Sequence, residues 1–125
     1  MGSCTGAKAT LRTQLRARAA AMRPAQRRES DAVLVRRFLA LPWTAQADTL
    51  LLFCGVGTEP DTGRLLQELW GAGRRVLLPK CLPGRAMEAR LVRSGKDLEP
   101  GAYGIPEPLE SCPVVEKGDI DLILV

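Results

Sequence analysis

Residues 50–80 read LLLFCGVGTEPDTGRLLQELWGAGRRVLLPK, and this stretch decides the fold. The unbroken apolar run at residues 50–53 is typical of a strand buried on both faces of a parallel sheet. A glycine-rich turn follows, and leucines at positions 65, 66 and 69 then form one face of a helix. Residues 75–79 read RVLLP, and the apolar residues after Arg75 indicate a return strand. The stretch therefore predicts a strand, a helix and a second strand in a βαβ architecture.

The helix inside this stretch has recognisable ends. Asp61 and Thr62 both have side chains suited to the N-cap position, where a side-chain oxygen accepts a hydrogen bond from a free backbone N–H. Gly71 or Gly73 is suited to the other end, because glycine enters the left-handed region without a steric penalty. The helix is therefore expected between these two pairs.

The turn before the helix is the predicted place for a ligand. In open α/β sheets ligands bind outside the carboxyl ends of the strands, and Cys54 and Glu59 fall there. A dinucleotide fingerprint would need a third glycine where Pro60 stands, and an acid where residues 79–80 read Pro-Lys. We therefore do not expect a nicotinamide or flavin site. Two interpretations of Glu59 stay open at this point, a ligand contact and a solvated loop acid.

Length and composition indicate one domain over residues 1–125, with 46% hydrophobic and 26% charged residues. No run approaches the roughly 18 apolar residues of a membrane span, and the N-terminus lacks the apolar part of a secretory signal. The four cysteines form no CxxC pair and the chain has no histidine, which excludes a structural zinc site and histidine-based catalysis. We expect a cytoplasmic protein without metal-ligating or catalytic side chains, with a mitochondrial location as the alternative.

The positive charge of the chain is concentrated at its start. Residues 1–28 contain seven basic residues and no acid, whereas the whole chain has a net charge of only +4. Lys8, Arg12 and Arg16 follow one another at the i, i+4, i+8 spacing of a helical ridge. Apolar residues share a second face of the same helix: Leu11, Leu15, Ala19 and Met22.

Three functions fit this basic helix: a transit peptide, a nucleic-acid arm, and a surface facing a phosphate-bearing ligand. No aromatic residue lies in the basic segment, so nucleic-acid bases have nothing to stack on. We therefore favour a small anionic ligand over nucleic acid, and a plain solvated face stays open.

The rest of the chain supplies further elements. A helix is expected from residue 24 to 41, with Pro42 as its stop, and its predicted buried stripe is Val33, Leu34, Phe38 and Leu41. A half-exposed strand is expected at residues 87–92 and an ordered loop at residues 97–108, where Tyr103 is either a core residue or the wall of a pocket. Residues 121–125 predict a buried strand without a following turn, from which we expect a longer reading frame.

Several short motifs in order resemble the 5-formyltetrahydrofolate cyclo-ligase family, also called 5,10-methenyltetrahydrofolate synthetase. The KxxLR opening lies at residues 8–12, and residues 53–54 read FC. The remaining motifs are TEPDT at 58–62, GRRVLLP at 73–79, ME at 87–88, LEPG at 98–101, GIPEP at 104–108 and DLILV at 121–125. No single motif is specific, but the ordered set covers almost the whole chain.

The resemblance implies a three-layer α/β/α fold with a mostly parallel sheet. It implies an enzyme of folate and one-carbon metabolism that uses ATP and Mg²⁺ to convert 5-formyltetrahydrofolate to 5,10-methenyltetrahydrofolate, releasing ADP and phosphate. In the family mechanism the formyl oxygen attacks the γ-phosphate, and N10 of the folate then closes on the activated carbon. A monomer without nucleic-acid or membrane partners is expected.

The resemblance also assigns residues to ligands. It implies ATP binding by Lys8, Ala9, Thr10, Leu11 and Arg12. It implies folate binding by Cys54, Glu59, Met87 and Tyr103.

The family pattern continues past the last strand with a PGxxFD segment and a glycine-rich loop that supplies much of the triphosphate site. These segments are not part of this sequence, so we expect a C-terminally truncated fold that is inactive alone. The alternative is a non-catalytic relative of the same fold that binds a folate or a nucleotide.

Overall fold

The computed structural model describes residues 3–125, with side chains from residue 6 onward. Within this range no helix is long and apolar enough to cross a membrane. The helices are α1 (Ser3–Ala21), α2 (Pro24–Ala40), α3 (Pro42–Gln46) and α4 (Gly63–Gly71). The strands are β1 (Thr49–Leu51), β2 (Arg75–Cys81), β3 (Met87–Val92), β4 (Leu98–Pro100), β5 (Pro106–Pro108) and β6 (Leu122–Ile123).

The central sheet has four strands in the order β3-β2-β1-β6. Strand β1 is parallel to both neighbours, with Leu50 opposite Val76 on one side and Leu122 on the other. Strand β3 is antiparallel to β2, so that Cys81 pairs with Met87. The predicted α/β fold with a mostly parallel sheet is therefore confirmed, and so is the βαβ unit of residues 50–80. The strand predicted at residues 121–125 forms only over Leu122–Ile123, and it is not buried as expected, since Ile123 is 55% exposed on the open second face of the sheet.

One face of this sheet, the core face, carries the hydrophobic core. Successive side chains of a strand point to opposite faces, so Leu50, Val76 and Leu78 share the core face. Helix α4 covers it with the predicted leucine stripe, and α2 covers it with Val35. Because α2 and α4 both lie on this face, the described residues form two packed layers.

The second face of the sheet is more open. Leu51, Pro79 and Ile123 line a groove of about 490 Å³ there, and irregular chain at residues 114–120 forms its other wall. Within residues 3–125 this segment, which contains only one 3-10 turn at Lys117–Asp119, covers the second face, and no α-helix packs there. The third layer of the expected fold is therefore not seen in the described chain.

The predicted second helix is confirmed as α2, which ends at Ala40, just before Pro42. Pro42 also begins α3, because proline suits the first turn of a helix, where its missing N–H has no intrahelical acceptor. The predicted buried stripe is partly wrong. Leu34 is 46% exposed and Leu41 lies beyond the last residue of α2, whereas Val35 is buried. The helix is rotated so that Val35, together with Phe38, faces α4 and the sheet.

The predicted loop at residues 97–108 is a hairpin of β4 and β5. Leu98 pairs with Pro108, and the chain reverses through a tight turn at residues 102–105, where Ile105 N donates to Ala102 O at 3.2 Å. Tyr103 has φ 60° and ψ 23°, and Gly104 has φ 71°, which are the values of a type I′ turn. Short paired runs containing three prolines gave no alternating pattern from which the hairpin could be predicted.

Candidate functional site

The candidate site lies at the carboxyl ends of the parallel strands. Strand β1 ends at Leu51, three residues before Cys54, and β2 ends at Cys81 next to the start of β3. The loop at residues 55–62 leaves the sheet at this edge and leads into α4. The expected location of a ligand site in an open sheet is therefore occupied by a defined loop, called here the β1 loop.

Thr62 ties the two ends of the β1 loop together. Its hydroxyl donates to Phe53 O at 2.6 Å and accepts from Gly55 N at 3.1 Å. Asp61 Oδ1 accepts from Gly63 N at 2.8 Å, so Asp61 satisfies a free N–H at the start of α4. A side chain at Gly55 would clash with the main-chain oxygen of Pro60, which explains why glycine stands there.

Glu59 is fixed in the β1 loop by two hydrogen bonds to the backbone of Val56. Its Oε1 accepts from Val56 N at 3.0 Å, while its backbone N donates to Val56 O at 3.1 Å. The residue is exposed, and its other carboxylate oxygen receives no hydrogen bond from the described part of the chain. Glu59 therefore presents a fixed carboxylate with one acceptor oxygen open to a ligand.

Arg27 of α2 binds the same loop from outside. Its Nη2 donates to Gly57 O at 2.7 Å and to Glu59 O at 2.8 Å. Arg27 and the β1 loop together line an open polar cleft of about 350 Å³. The other residues of the cleft are Pro24, Arg28, Asp31, Gly55 and Asp61.

The cysteines near this edge are not activated nucleophiles. Cys54 is half-buried against the core, and burial raises the pKa of its thiol. Cys81 is exposed, and a hydrogen bond with Glu107 raises the pKa of its thiol. Both thiols are therefore protonated near neutral pH, which suits a contact with a ligand better than covalent catalysis. The side chain of Cys4 lies outside the described part of the structure.

The four residues assigned to folate by resemblance lie on different surfaces. Glu59 lines the cleft, whereas Cys54, which directly precedes the β1 loop, packs against the hydrophobic core and is not part of the cleft lining. Met87 is 67% exposed and lines the groove on the second face. Tyr103 is 95% exposed at the tip of the β4–β5 hairpin. The four residues therefore do not share one pocket in the described chain, and only Cys54 and Glu59 lie near each other in sequence.

The basic helix α1 forms as expected and carries the five residues assigned to ATP. Lys8, Arg12 and Arg16 are exposed, and so is the apolar face, with Leu11 54% accessible. Helix α1 contributes no residue to the hydrophobic core or to the cleft of Glu59 within the described chain. The structure therefore leaves the ATP and folate positions apart.

Metal ligands are not grouped in the described residues. No three His, Cys, Asp or Glu side chains within residues 3–125 are placed to hold a metal ion. Mg²⁺ keeps several waters and is commonly bound through substrate phosphates, so a protein cage is not required for it. The side chains present do not form a magnesium site by themselves, and no step below depends on one.

Arg27 is a residue of the cleft that the sequence does not reveal. It lies 30 and 32 positions from the two carbonyl groups that it binds, and it is one of seven basic residues in its region. Its position in the first turn of α2 matches no ligand motif. Only the packing of α2 against the sheet brings its guanidinium to the β1 loop.

A mixed α/β fold with a polar cleft at the carboxyl ends of its parallel strands places the chain in the class of open-sheet α/β proteins, in which this edge is the usual position of a ligand site. The model of the 5-formyltetrahydrofolate cyclo-ligase family matches residues 4–125, and the chain belongs to that family. The family resemblance stated from the sequence motifs is thereby confirmed.

Comparison with known proteins supports the same assignment. The chain is 35% identical over 69 residues to the 5-formyltetrahydrofolate cyclo-ligases of Escherichia coli strains K12 and O157:H7, covering 55% of this chain and 38% of each relative. The NMR structure of 5,10-methenyltetrahydrofolate synthetase from Aquifex aeolicus matches with a TM-score of 0.82 and 27% identity. That match covers 94% of this chain and 59% of the Aquifex chain. The chain therefore spans less than two thirds of the length of these relatives.

Proposed function

We propose that this chain is part of an ATP-dependent ligase that converts 5-formyltetrahydrofolate to 5,10-methenyltetrahydrofolate with release of ADP and phosphate. Membership of the cyclo-ligase family supports the reaction class and the folate substrate. The structural observation that carries the proposal is the carboxylate of Glu59, held by Val56 N at the carboxyl end of β1.

Glu59 recognises the folate in this proposal. A pterin ring presents neighbouring N–H donors, and an ionised carboxylate accepts two such hydrogen bonds strongly. One oxygen of Glu59 is already bound to Val56 N, which fixes the side chain before the ligand arrives. Cys54, which directly precedes the β1 loop, is proposed to contribute an uncharged contact surface. Met87 and Tyr103 are further candidate contacts from the neighbouring strand and hairpin.

The exposed cationic ridge of α1 binds ATP in this proposal. Phosphoryl transfer depends mainly on positioning and on stabilising negative charge, so it needs neither a histidine nor a reactive cysteine. Lys8 and Arg12 are four residues apart on α1, so their positive charges lie on the same face of the helix. Mg²⁺ would neutralise phosphate charge while bound to the nucleotide. Lys8 and Arg12 are therefore the residues of this chain to substitute in a test of binding to the phosphates of ATP.

A non-catalytic folate- or nucleotide-binding relative is the second candidate. One observation favours it, namely that the described residues keep α1 and the cleft of Glu59 apart. Catalysis requires the formyl oxygen and the γ-phosphate to meet, because proximity supplies much of the rate.

Binding and turnover are measured separately to test the proposal. Calorimetric titration of residues 1–125 with 5-formyltetrahydrofolate is expected to show saturable binding, and the absorbance of the methenyl product with ATP and Mg²⁺ is expected to stay flat. Absence of folate binding would contradict the proposed function. Binding without turnover by the protein at the full length of its relatives would instead establish the non-catalytic alternative.

A further inference from the structure

Arg27 joins a rigid helix to the loop that carries Glu59. Its backbone N donates to Arg23 O at 2.9 Å in the first turn of α2, and α2 packs on the core through the buried side chain of Val35. From this fixed base, Nη2 donates to Gly57 O and Glu59 O at 2.7 and 2.8 Å. One guanidinium nitrogen therefore bridges two carbonyl groups of the β1 loop.

The β1 loop needs such a support between its ends. Gly57 has φ 61°, and glycine has little conformational preference of its own. The hydrogen bonds between Val56 and Glu59 are internal to the loop, and those of Thr62 hold only its two ends. The bonds of Arg27 are the ones that tie the middle of the loop to another element within the described chain.

We propose that Arg27 is a positioning residue for folate recognition, acting through Glu59. It holds the backbone of Gly57 and Glu59 so that the carboxylate of Glu59 stands in the cleft before the ligand binds. This inference rests on the proposed function, because it assigns Arg27 to the same folate site. The physical gain is preorganisation, since a loop already ordered loses less conformational entropy on binding.

A loss of folate affinity on substitution of Arg27 has three possible explanations, which the experiment separates. They are a positioning role, a direct contact with the folate, and general attraction of an anionic ligand. Arg27→Met keeps an apolar stem and removes the donors and the charge. Arg27→Lys restores a charged donor on a shorter stem, so it is expected to recover part of the function. Arg36→Met, on an exposed position of the same helix, is the matched control for charge.

Hydrogen exchange of the ligand-free protein is the first measurement. In Arg27→Met the amides of residues 53–62 are expected to exchange about tenfold faster than in the wild type, because a charge-assisted hydrogen bond that holds the loop is lost. Arg36→Met is expected to exchange like the wild type, and both variants are expected to melt cooperatively. If Arg27 only attracts the anionic ligand through its charge, the amides of residues 53–62 exchange at the same rate in Arg27→Met and in the wild type.

Folate affinity in a double-mutant cycle is the second measurement. Arg27→Met is expected to weaken binding of 5-formyltetrahydrofolate about tenfold, with partial recovery in Arg27→Lys. In a Glu59→Gln background the same substitution is expected to cost less than about twofold, because residues that act through one another are not additive. Additive losses would show that Arg27 acts independently of Glu59 and would overturn the inference.

The two proposals fail in distinguishable ways. A wild-type chain that binds no 5-formyltetrahydrofolate overturns both the proposed function and the role of Arg27. A wild-type chain that binds it, together with an Arg27→Met variant that binds equally well, overturns the role of Arg27 alone. Unchanged exchange of residues 53–62 in Arg27→Met overturns the positioning role as well.

Discussion

Lys80 donates a hydrogen bond from Nζ to the main-chain oxygen of Pro108 at 2.9 Å, and both residues are buried. The ammonium also lies 3.8 Å from Glu99 and 3.6 Å from Glu110, whose carboxylates are accessible to solvent. Strand β2 is thereby joined to the β4–β5 hairpin. Beside it, Cys81 N donates to Glu107 Oε1 at 3.3 Å. A hairpin that has little core of its own is thus held at the edge where the candidate site lies.

Lys80→Met is expected to destabilise the protein by about 1–3 kcal/mol, because the buried oxygen of Pro108 loses its donor. The two carboxylates remain hydrated and add little to this loss. Urea unfolding of residues 1–125 measures the effect, with Lys96→Met at an exposed position as the control. A variant as stable as the wild type would show that water replaces the lysine without loss.

Arg74→Ala is expected to destabilise α3 and the protein by about 2 kcal/mol. The guanidinium donates to Thr44 O at 2.7 Å, to Ala45 O at 3.0 Å and also to Ala47 O, which are carbonyl groups at the carboxyl end of a short helix and just after it. The midpoint of urea unfolding should fall, and Arg74→Lys should give an intermediate value. The exposed Arg93→Ala is the matched control, and an equal effect there would contradict this explanation.

Tyr103→Asn is expected to raise stability by about 1 kcal/mol, because asparagine tolerates the left-handed backbone that Tyr103 adopts at φ 60°. If Tyr103 contacts the folate, the same variant binds 5-formyltetrahydrofolate more weakly although it melts at a higher temperature. Tyr103→Phe removes the hydroxyl and keeps the ring and the backbone conformation, so it distinguishes the contributions of the ring and the hydroxyl to folate affinity. Unchanged folate affinity in Tyr103→Asn would remove this residue from the site.

Glu59→Gln is expected to weaken folate binding by about tenfold or more, because an amide accepts only part of the paired hydrogen bonds that a carboxylate accepts. Stability should stay close to that of the wild type, since the amide oxygen still accepts from Val56 N. Titration calorimetry measures the affinity, and Glu68→Gln on the exposed face of α4 is the control. Equal affinity of Glu59→Gln and wild type would leave Glu59 as a solvated loop acid.

Arg12→Ala is expected to weaken ATP binding by about tenfold, since one charge-assisted contact to phosphate contributes about 1.5–3 kcal/mol. Its fold should be unaffected, because Arg12 is exposed on a helix outside the hydrophobic core. Nucleotide titration with and without Mg²⁺ measures the change, and Arg18→Ala, also exposed on α1, serves for comparison. Identical ATP affinity in Arg12→Ala and wild type would argue against the role of the ridge.

The elements with strong local signals were predictable from the sequence. Leu65, Leu66 and Leu69 are buried as their helical spacing indicates, and Leu50 pairs with Val76 in the expected parallel register of a βαβ unit. The β4–β5 hairpin was not predictable as such, because three-residue strands flanked by proline carry no periodic signal. The stripe of α2 was partly misassigned, because apolar residues occupy more of its surface than the sheet can cover.

The sequence by itself determined the order of the strands and helices along β1, α4 and β2, the presence of a glycine-rich loop after β1, and the family, because these depend on local periodicity and on short ordered motifs. Tertiary structure alone decided that Arg27 binds the backbone oxygen of Glu59 and that Lys80 holds the hairpin through Pro108. These contacts join residues 32 and 28 positions apart. Their partners are backbone carbonyl groups, which every residue possesses, so no side-chain pattern marks them and only packing selects them.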